Sequence, residues 1–252
     1  MHFKDYASYY NLLYKDKNYK EEVEYIDRLI KQYNPAAKTL IDLGCGTGKH
    51  IFEFEKLGYE STGVDLSSQM ISIAEETRQS KNSKAEFYQG DIRNYQNKNK
   101  FDAVVSLFHV MSYQTSNDDL EKAFLTAKNL LTDDGVFLFD CWYGPGVLSD
   151  LPTSRTRKFE DEILRVSRIS TANIDINANV VEVIFDVEIE NKITNTMTTL
   201  EEEHPMRYLF RPEIEFLCSK YNLKIQGHYN WMDTENPTEK SWYSVFVLRW
   251  KI

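Results

Sequence analysis

Across residues 38–49 an apolar run, Leu40-Ile41-Asp42-Leu43, passes without a break into Gly44-Cys45-Gly46-Thr47-Gly48, and an amphipathic segment follows at 50–57. No other stretch restricts the fold as strongly, because it asks for a strand, a tight turn and a helix in succession. Glycines at alternate positions permit positive φ and remove the Cβ atoms that would hold a ligand off the backbone. The amides of such a turn and the N-terminus of the following helix face a crevice at the strand's carboxyl end. An adenosine-like ligand is expected there. Taken alone the turn has a plainer explanation, since many strand-to-helix turns need one glycine for geometry only.

The rest of the chain repeats the unit. Strands are expected at 60–65, 85–90, 101–108 and 136–140, with helices capped by Ser67 and running over 118–131. From Arg155 the period changes: 163–170, 180–190 and 197–208 alternate apolar and polar residues, as half-exposed antiparallel strands do. A helix near Pro212 and strands at 223–229 and 242–250 close the chain. The expected fold is α/β, a Rossmann-like seven-stranded mixed sheet with helices on both faces and an antiparallel β insert after the fifth strand. Residues 1–37 are expected as an N-terminal helical lid, with helical spacing over 3–33 ended by Asn34-Pro35. Residues 38–145 and 209–252 form the core, and 146–208 the insert that covers the cleft.

Composition excludes several classes. A net charge of −9 argues against tight nucleic-acid binding, which rests on clustered Lys and Arg. The longest basic cluster, Arg155-Thr156-Arg157-Lys158, reads as a solvated strand edge or loop. Cys45, Cys141 and Cys218 are odd in number and widely spaced, so they fit reduced thiols and neither a disulfide framework nor a metal site. No apolar run is long enough for a bilayer, and the start lacks a basic segment followed by an apolar one. A cytoplasmic location is expected, without membrane or nucleic-acid partners; a homo-oligomer is compatible with the sequence.

Two carboxylates sharpen the ligand. Asp65 ends the second strand 19 residues beyond Gly46, where it can accept from both ribose hydroxyls of an adenosine. Asp91 ends the third strand, where it can accept from the adenine amine while Ile92 and Met70 sandwich the ring. Singly, each reads as a turn or capping residue; three coincidences at successive strand ends are harder to dismiss. The dinucleotide fingerprint asks for Gly-x-Gly-x-x-Gly, whereas here the spacing is Gly-x-Gly-x-Gly with Asp42 two residues ahead. A carboxylate there disfavours a pyrophosphate and suits a ligand with positive charge, such as S-adenosylmethionine.

Leu40–Gly48 in numbers 40–48, Gly63-Val64-Asp65-Leu66-Ser67, Gly90-Asp91-Ile92 and Phe101-Asp102-Ala103-Val104-Val105 resemble the successive motifs of class I S-adenosylmethionine-dependent methyltransferases. A looser similarity, to nucleotide-sugar N,N-dimethyltransferases, rests on Tyr6-Ala7-Ser8-Tyr9-Tyr10, Asn18-Tyr19, Trp142, Pro145, Glu202-Glu203 and Leu209-Phe210. That resemblance implies Tyr19 near the cofactor's methionyl end and Tyr6 near the acceptor. It also implies a histidine where this chain has Tyr113. The cofactor-binding residues expected from motif and resemblance are Tyr14, Tyr19, Gly44, Cys45, Gly46, Asp65, Leu66, Met70, Asp91, Ile92 and Leu107.

Methyl transfer from a sulfonium needs nucleophile, methyl carbon and sulfur held in line in a dry pocket. A neutral amine needs no dedicated base, while a hydroxyl acceptor benefits from one. His109, directly after the fourth strand, is the candidate base, or else a packed histidine at a strand end. Tyr113 and Tyr6 are candidates for orienting the acceptor. Tyr6, Tyr14 and Tyr19 are candidates for an aromatic lid over the sulfonium, or for ordinary helix packing. Glu201-Glu202-Glu203-His204 reads as a solvated edge, unless Glu203 or His204 turns into the cleft to bind a cationic amine. Base methylation of nucleic acid is disfavoured by Ser106-Leu107-Phe108-His109, which lacks an Asp/Asn-Pro-Pro-aromatic turn; Cys141 reads as a buried inert thiol. The expected activity is methyl transfer to nitrogen or oxygen of a small metabolite, with a nucleotide-linked amino sugar as the specific guess. A non-catalytic cofactor-binding module and an RNA methyltransferase stand as alternatives.

Overall fold

A computed structural model describes residue 9 and residues 12–250. Its first complete helix, α1 (Tyr19–Tyr33), begins where the Asn18 side chain accepts from the Glu21 amide, and it ends at Asn34 before Pro35. The helical spacing expected through 3–33 is therefore interrupted: a turn at 14–16 and the irregular residues 17–18 separate helical Tyr9, Leu12 and Leu13 from α1. Then β1 (Thr39–Leu43), α2 (Lys49–Lys56), β2 (Glu60–Asp65), α3 (Ser68–Lys81), β3 (Glu86–Gln89), β4 (Phe101–Ser106), α4 (Asn117–Leu130) and β5 (Leu131–Tyr143) alternate as the periodicity predicts. A 3-10 turn (Val110–Tyr113) lies between β4 and α4.

After the short α5 (Gly144–Ser149) come β6 (Arg155–Glu160), β7 (Leu164–Asp175), β8 (Val180–Asn191) and β9 (Thr196–Leu209), then α6 (Arg211–Lys220), β10 (Leu223–Asn230) and β11 (Tyr243–Trp250). The order β3-β2-β1-β4-β5-β11-β10 makes the seven-stranded sheet, with β11 alone antiparallel to its neighbours. The connected sheet is larger than expected, at eleven strands. β9-β8-β7-β6 form an antiparallel sheet joined to β5 only through Trp142↔Tyr208 and Tyr143↔Leu209. Arg155–Glu160, expected as loop or edge, is a full edge strand paired with β7.

Alternation along the central strands builds two cores. Ile41, Leu43, Phe137, Phe139 and Phe246 face α4 and α6 through Leu120, Phe124, Ile214 and Leu217. Leu40, Val105, Val136, Leu138 and Val247 face α1 and α2 through Ile26, Ile30, Ile51 and Phe54. Helix α1 is thus part of a sheet-covering layer. The segment ahead of it packs elsewhere: Tyr9, Leu12 and Leu13 lie between Met70 of α3 and Val166 and Val187 of the insert. Among the described residues no helix is long and apolar enough to cross a membrane.

Candidate active site

The carboxyl ends of β1, β2, β4 and β5 open on a cleft of about 1010 Å³ roofed by the insert. Its floor is the glycine turn. Gly44 has φ +94°, and a Cβ there would lie 2.5 Å from the Val110 side chain, so the position takes glycine on both counts. The Gly44 and Cys45 amides donate to the Val64 carbonyl at 2.7 and 3.0 Å, tying the turn to β2. Asp65 fixes it further: Oδ2 accepts from the Gly46 amide and Oδ1 from the Ser67 amide, both at 2.8 Å. Burial raises the Asp65 pKa, and these amides pull it back. Each oxygen keeps lone-pair capacity for a ribose hydroxyl. Leu66, 54% exposed, stands at the rim, while Met70, Ile92 and Leu107 are buried apolar wall. Burial, with the charges of Asp65 and Asp42, holds the Cys45 thiol well above its usual pKa and so unreactive.

Asp91 lines the cleft but is already engaged. Arg93 donates from Nε to both of its oxygens, at 2.9 and 3.0 Å, and from Nη2 at 2.6 Å, while Nη1 reaches Asp119 at 3.0 Å. These bonds lower the Asp91 pKa. The expected contact with an adenine amine therefore has to share a carboxylate that Arg93 holds, and Arg93 itself lines the cleft.

Asp42 is the opposite case. It is 1% exposed, and neither oxygen makes a well-formed hydrogen bond. Burial, then the charges of Asp65 and Asp140, push its pKa well up against a weaker pull from the Leu107 amide. A cation bound above the glycine turn would relieve it.

Behind β4 the backbone is strained, with φ of +64° at Phe108 and +65° at His109. Asp140, fully buried on β5, holds this turn: its two oxygens accept from the His109 amide at 3.1 and 3.2 Å. His109 Nδ1 lies 2.5 Å from Asp140 Oδ2, and the ring stacks on Tyr243 with centroids 4.5 Å apart. Asp140 escaped sequence reasoning because it interrupts an apolar strand without a motif around it.

Tyr14 and Tyr19 both line the cleft. Tyr14 meets Phe108 edge-on at 5.0 Å, and Tyr19 meets His50 at 4.9 Å. Lys17 and Lys49 both approach the Tyr19 ring at 5.1 Å, so its attraction for cations is already in use. Tyr6 lies outside the described residues.

On the insert, period 2 puts Arg155, Arg157, Arg168, Phe185 and His204 on the face toward the cleft. Register decides between the two candidates: Glu203 is exposed, as a solvated edge residue is, while His204 lines the cleft and Glu202, 8% exposed, turns inward with it. Tyr113 Oη lies 3.0 Å from His204 Nδ1. The cluster Arg155-Thr156-Arg157-Lys158 is exposed throughout, as a solvated strand edge is, and Arg155 and Arg157 also line the cleft.

Residues 40–135 match the family described as a methyltransferase domain. Over 185 residues the chain is 31% identical to the dTDP-3-amino-3,4,6-trideoxy-alpha-D-glucopyranose N,N-dimethyltransferase of Streptomyces venezuelae, covering 73% of this chain and 76% of that protein. The chain belongs to the class I S-adenosylmethionine-dependent methyltransferases. The fold of this methyltransferase is also that of a S-adenosylmethionine-dependent methyltransferase from Clostridium acetobutylicum, with TM-score 0.82, 23% identity and 98% of each chain covered. It is likewise that of Streptomyces venezuelae DesVI, with TM-score 0.80, 22% identity, and 97% and 98% covered.

The methyltransferase's residues fit its cofactor, S-adenosylmethionine. Gly44, Cys45 and Gly46 line the cleft, Asp65 suits ribose hydroxyls, and the poorly hydrogen-bonded Asp42 suits a cationic ligand. The same carboxylate speaks against a dinucleotide's pyrophosphate.

Proposed function

We propose that this methyltransferase acts on the amino group of a sugar carried on a nucleoside diphosphate. The charge on the insert's cleft face carries the reading. Arg157 and Arg168 stand directly opposite each other across β6 and β7, an arrangement of like charges that weakens a sheet. Arg168 is only 8% exposed, and its Nε and Nη1 have no hydrogen-bond partner among the described residues. A chain of net charge −9 has carboxylates enough to neutralise such a pair. An anionic group on the acceptor, offering bidentate oxygens as a diphosphate does, accounts for leaving them unneutralised. Trp142, Trp242 and Tyr243 add ring faces for a base or sugar. The N,N-dimethyltransferase relative favours nitrogen over oxygen.

When bound, S-adenosylmethionine supplies an electrophilic methyl carbon whose bond to sulfur breaks, its electron pair leaving on sulfur, as the acceptor's lone pair forms the new bond. The chain's own work is alignment and exclusion of water, worth up to about 7–11 kcal/mol. In this reading the glycine turn at 44–46, Asp42 and Asp65 hold the cofactor, His109 and Tyr113 face the acceptor, and the segment before α1 closes with residues 146–208 over both. A cytoplasmic location and a small-molecule partner go with it.

Incubation with S-adenosylmethionine and dTDP-linked amino sugars should yield products heavier by one and two methyl groups. Arg157→Gln and Arg168→Gln should each raise KM for the acceptor about tenfold, the loss of one charge-assisted contact, without changing cofactor affinity. If dTDP inhibits no better than thymidine, the diphosphate reading is wrong.

A further inference from the structure

We propose that Tyr113, His204 and Glu202 form a proton relay that deprotonates the acceptor amine between successive methylations, with Tyr113 touching the acceptor and the other two acting through it. The proposal rests on the amine acceptor argued above. Tyr113 ends the 3-10 turn behind β4, and Glu202 and His204 sit two residues apart on the cleft face of β9. Tyr113 Oη is 3.0 Å from His204 Nδ1, and His204 Nε2 is 3.3 Å from Glu202 Oε2.

These distances fix the donors. An ionised carboxylate only accepts, so Nε2 carries the proton of the neutral ring and Nδ1 is left as the acceptor. The Tyr113 hydroxyl must then donate to Nδ1, which turns its remaining lone-pair capacity toward the cleft that it and His204 line. The strand buries Glu202 and His204, 8% and 4% exposed, while Glu201 and Glu203 on the other face are exposed. A carboxylate and an imidazole buried together are each other's compensation. Tyr9 and Tyr14 from the N-terminal segment, Arg168 from β7 and the Phe185 ring from β8, 4.7 Å from His204, face the group. His109 is outside this network, with its Nδ1 against Asp140.

After one methylation the acceptor nitrogen is a secondary ammonium without a lone pair. Its N–H proton passes to Tyr113 Oη as the Tyr113 proton passes to His204 Nδ1, and Glu202 holds the resulting imidazolium until it releases the proton to solvent. The nitrogen is left a neutral secondary amine, ready for a second methyl group, and no other bond changes. Transfer through the phenol has to be concerted, because burial, with Tyr14 and Glu202 adding to it, raises its pKa and disfavours a free phenolate.

The first test needs no acceptor. The His204 ring-proton resonances, assigned with His204→Gln, are followed by NMR through a pH titration. Their midpoint should fall by about one unit in Glu202→Gln, which removes an adjacent negative charge, and should also move in Tyr113→Phe. A midpoint that moves in neither variant overturns the relay. With the acceptor, Tyr113→Phe and His204→Gln should raise the ratio of monomethyl to dimethyl product about tenfold or more below the amine's own pKa, and lose the defect above it. An unchanged ratio at every pH also overturns it. Titration with S-adenosylhomocysteine verifies that each variant is folded. Coupled NMR midpoints with no amino sugar methylated would uphold the relay and count against the acceptor reading.

Discussion

Asp42 shows what a single residue can cost a fold for the sake of a ligand. Its carboxylate is buried, poorly hydrogen-bonded and near two other carboxylates, and its pKa is raised for those reasons. The folded chain therefore binds this proton more tightly than the unfolded chain does. Stability is lost as pH rises from the ordinary aspartate value through the raised one, and above that the full penalty persists. Asp42→Asn should raise the melting temperature at pH 8 while leaving it nearly unchanged near pH 4. It should also weaken cofactor binding by about 1.5–3 kcal/mol if the charge meets a cation. Equal stabilisation at both pH values would show that the aspartate is not titrating as argued. The position of Asp42 ahead of the glycines was legible in the sequence; its poor hydrogen bonding was not, since that depends on what β4 and β5 bring beside it.

At the scale of elements, the turn behind β4 is held by the strand beside it. Phe108 and His109 adopt left-handed conformations that non-glycine residues avoid, and the two Asp140 oxygens on the His109 amide keep them there. Asp140→Asn replaces one of those oxygens by a donor. It should lower kcat sharply and stability by about 1–3 kcal/mol while S-adenosylhomocysteine affinity stays near that of the parent. Loss of cofactor affinity in proportion to kcat would instead make Asp140 part of the cofactor pocket.

The strand–helix order, the glycine turn and the late antiparallel strands could all be read from periodicity, because burial on one face or two leaves its mark on every residue of an element. Pairing does not leave such a mark. Glu202 and Glu203 are chemically identical neighbours, and only the register with β8, Phe185↔Glu202 and Ile184↔Glu203, decides which one faces the cleft. Arg93 was passed over for a related reason: two residues from Asp91, it looks like an ordinary surface arginine until the backbone turns its guanidinium onto that carboxylate.

For the whole molecule, the N-terminal segment links the two halves of the site. Tyr9, Leu12 and Leu13 pack on Met70, from the cofactor side, and on Val166 and Val187, from the insert. The turn that follows is tied down by Glu22, whose carboxylate pairs with Lys17 and lies 2.8 Å from His50 Nε2. Burial alone would raise the Glu22 pKa; His50 and Lys17 outweigh it and lower it. That stabilisation is present above the ordinary glutamate value and is lost as pH falls through the lowered one. Glu22→Gln should speed limited proteolysis within residues 14–18 and reduce the protection given by S-adenosylhomocysteine. Cleavage as slow as in the parent would mean that the segment is held by its apolar contacts alone.

The insert meets the parallel sheet through two residue pairs, Trp142↔Tyr208 and Tyr143↔Leu209. With so few ladder pairs across the seam, a change of length, charge or register in the roof leaves the hydrogen bonds of the parallel strands beneath it intact.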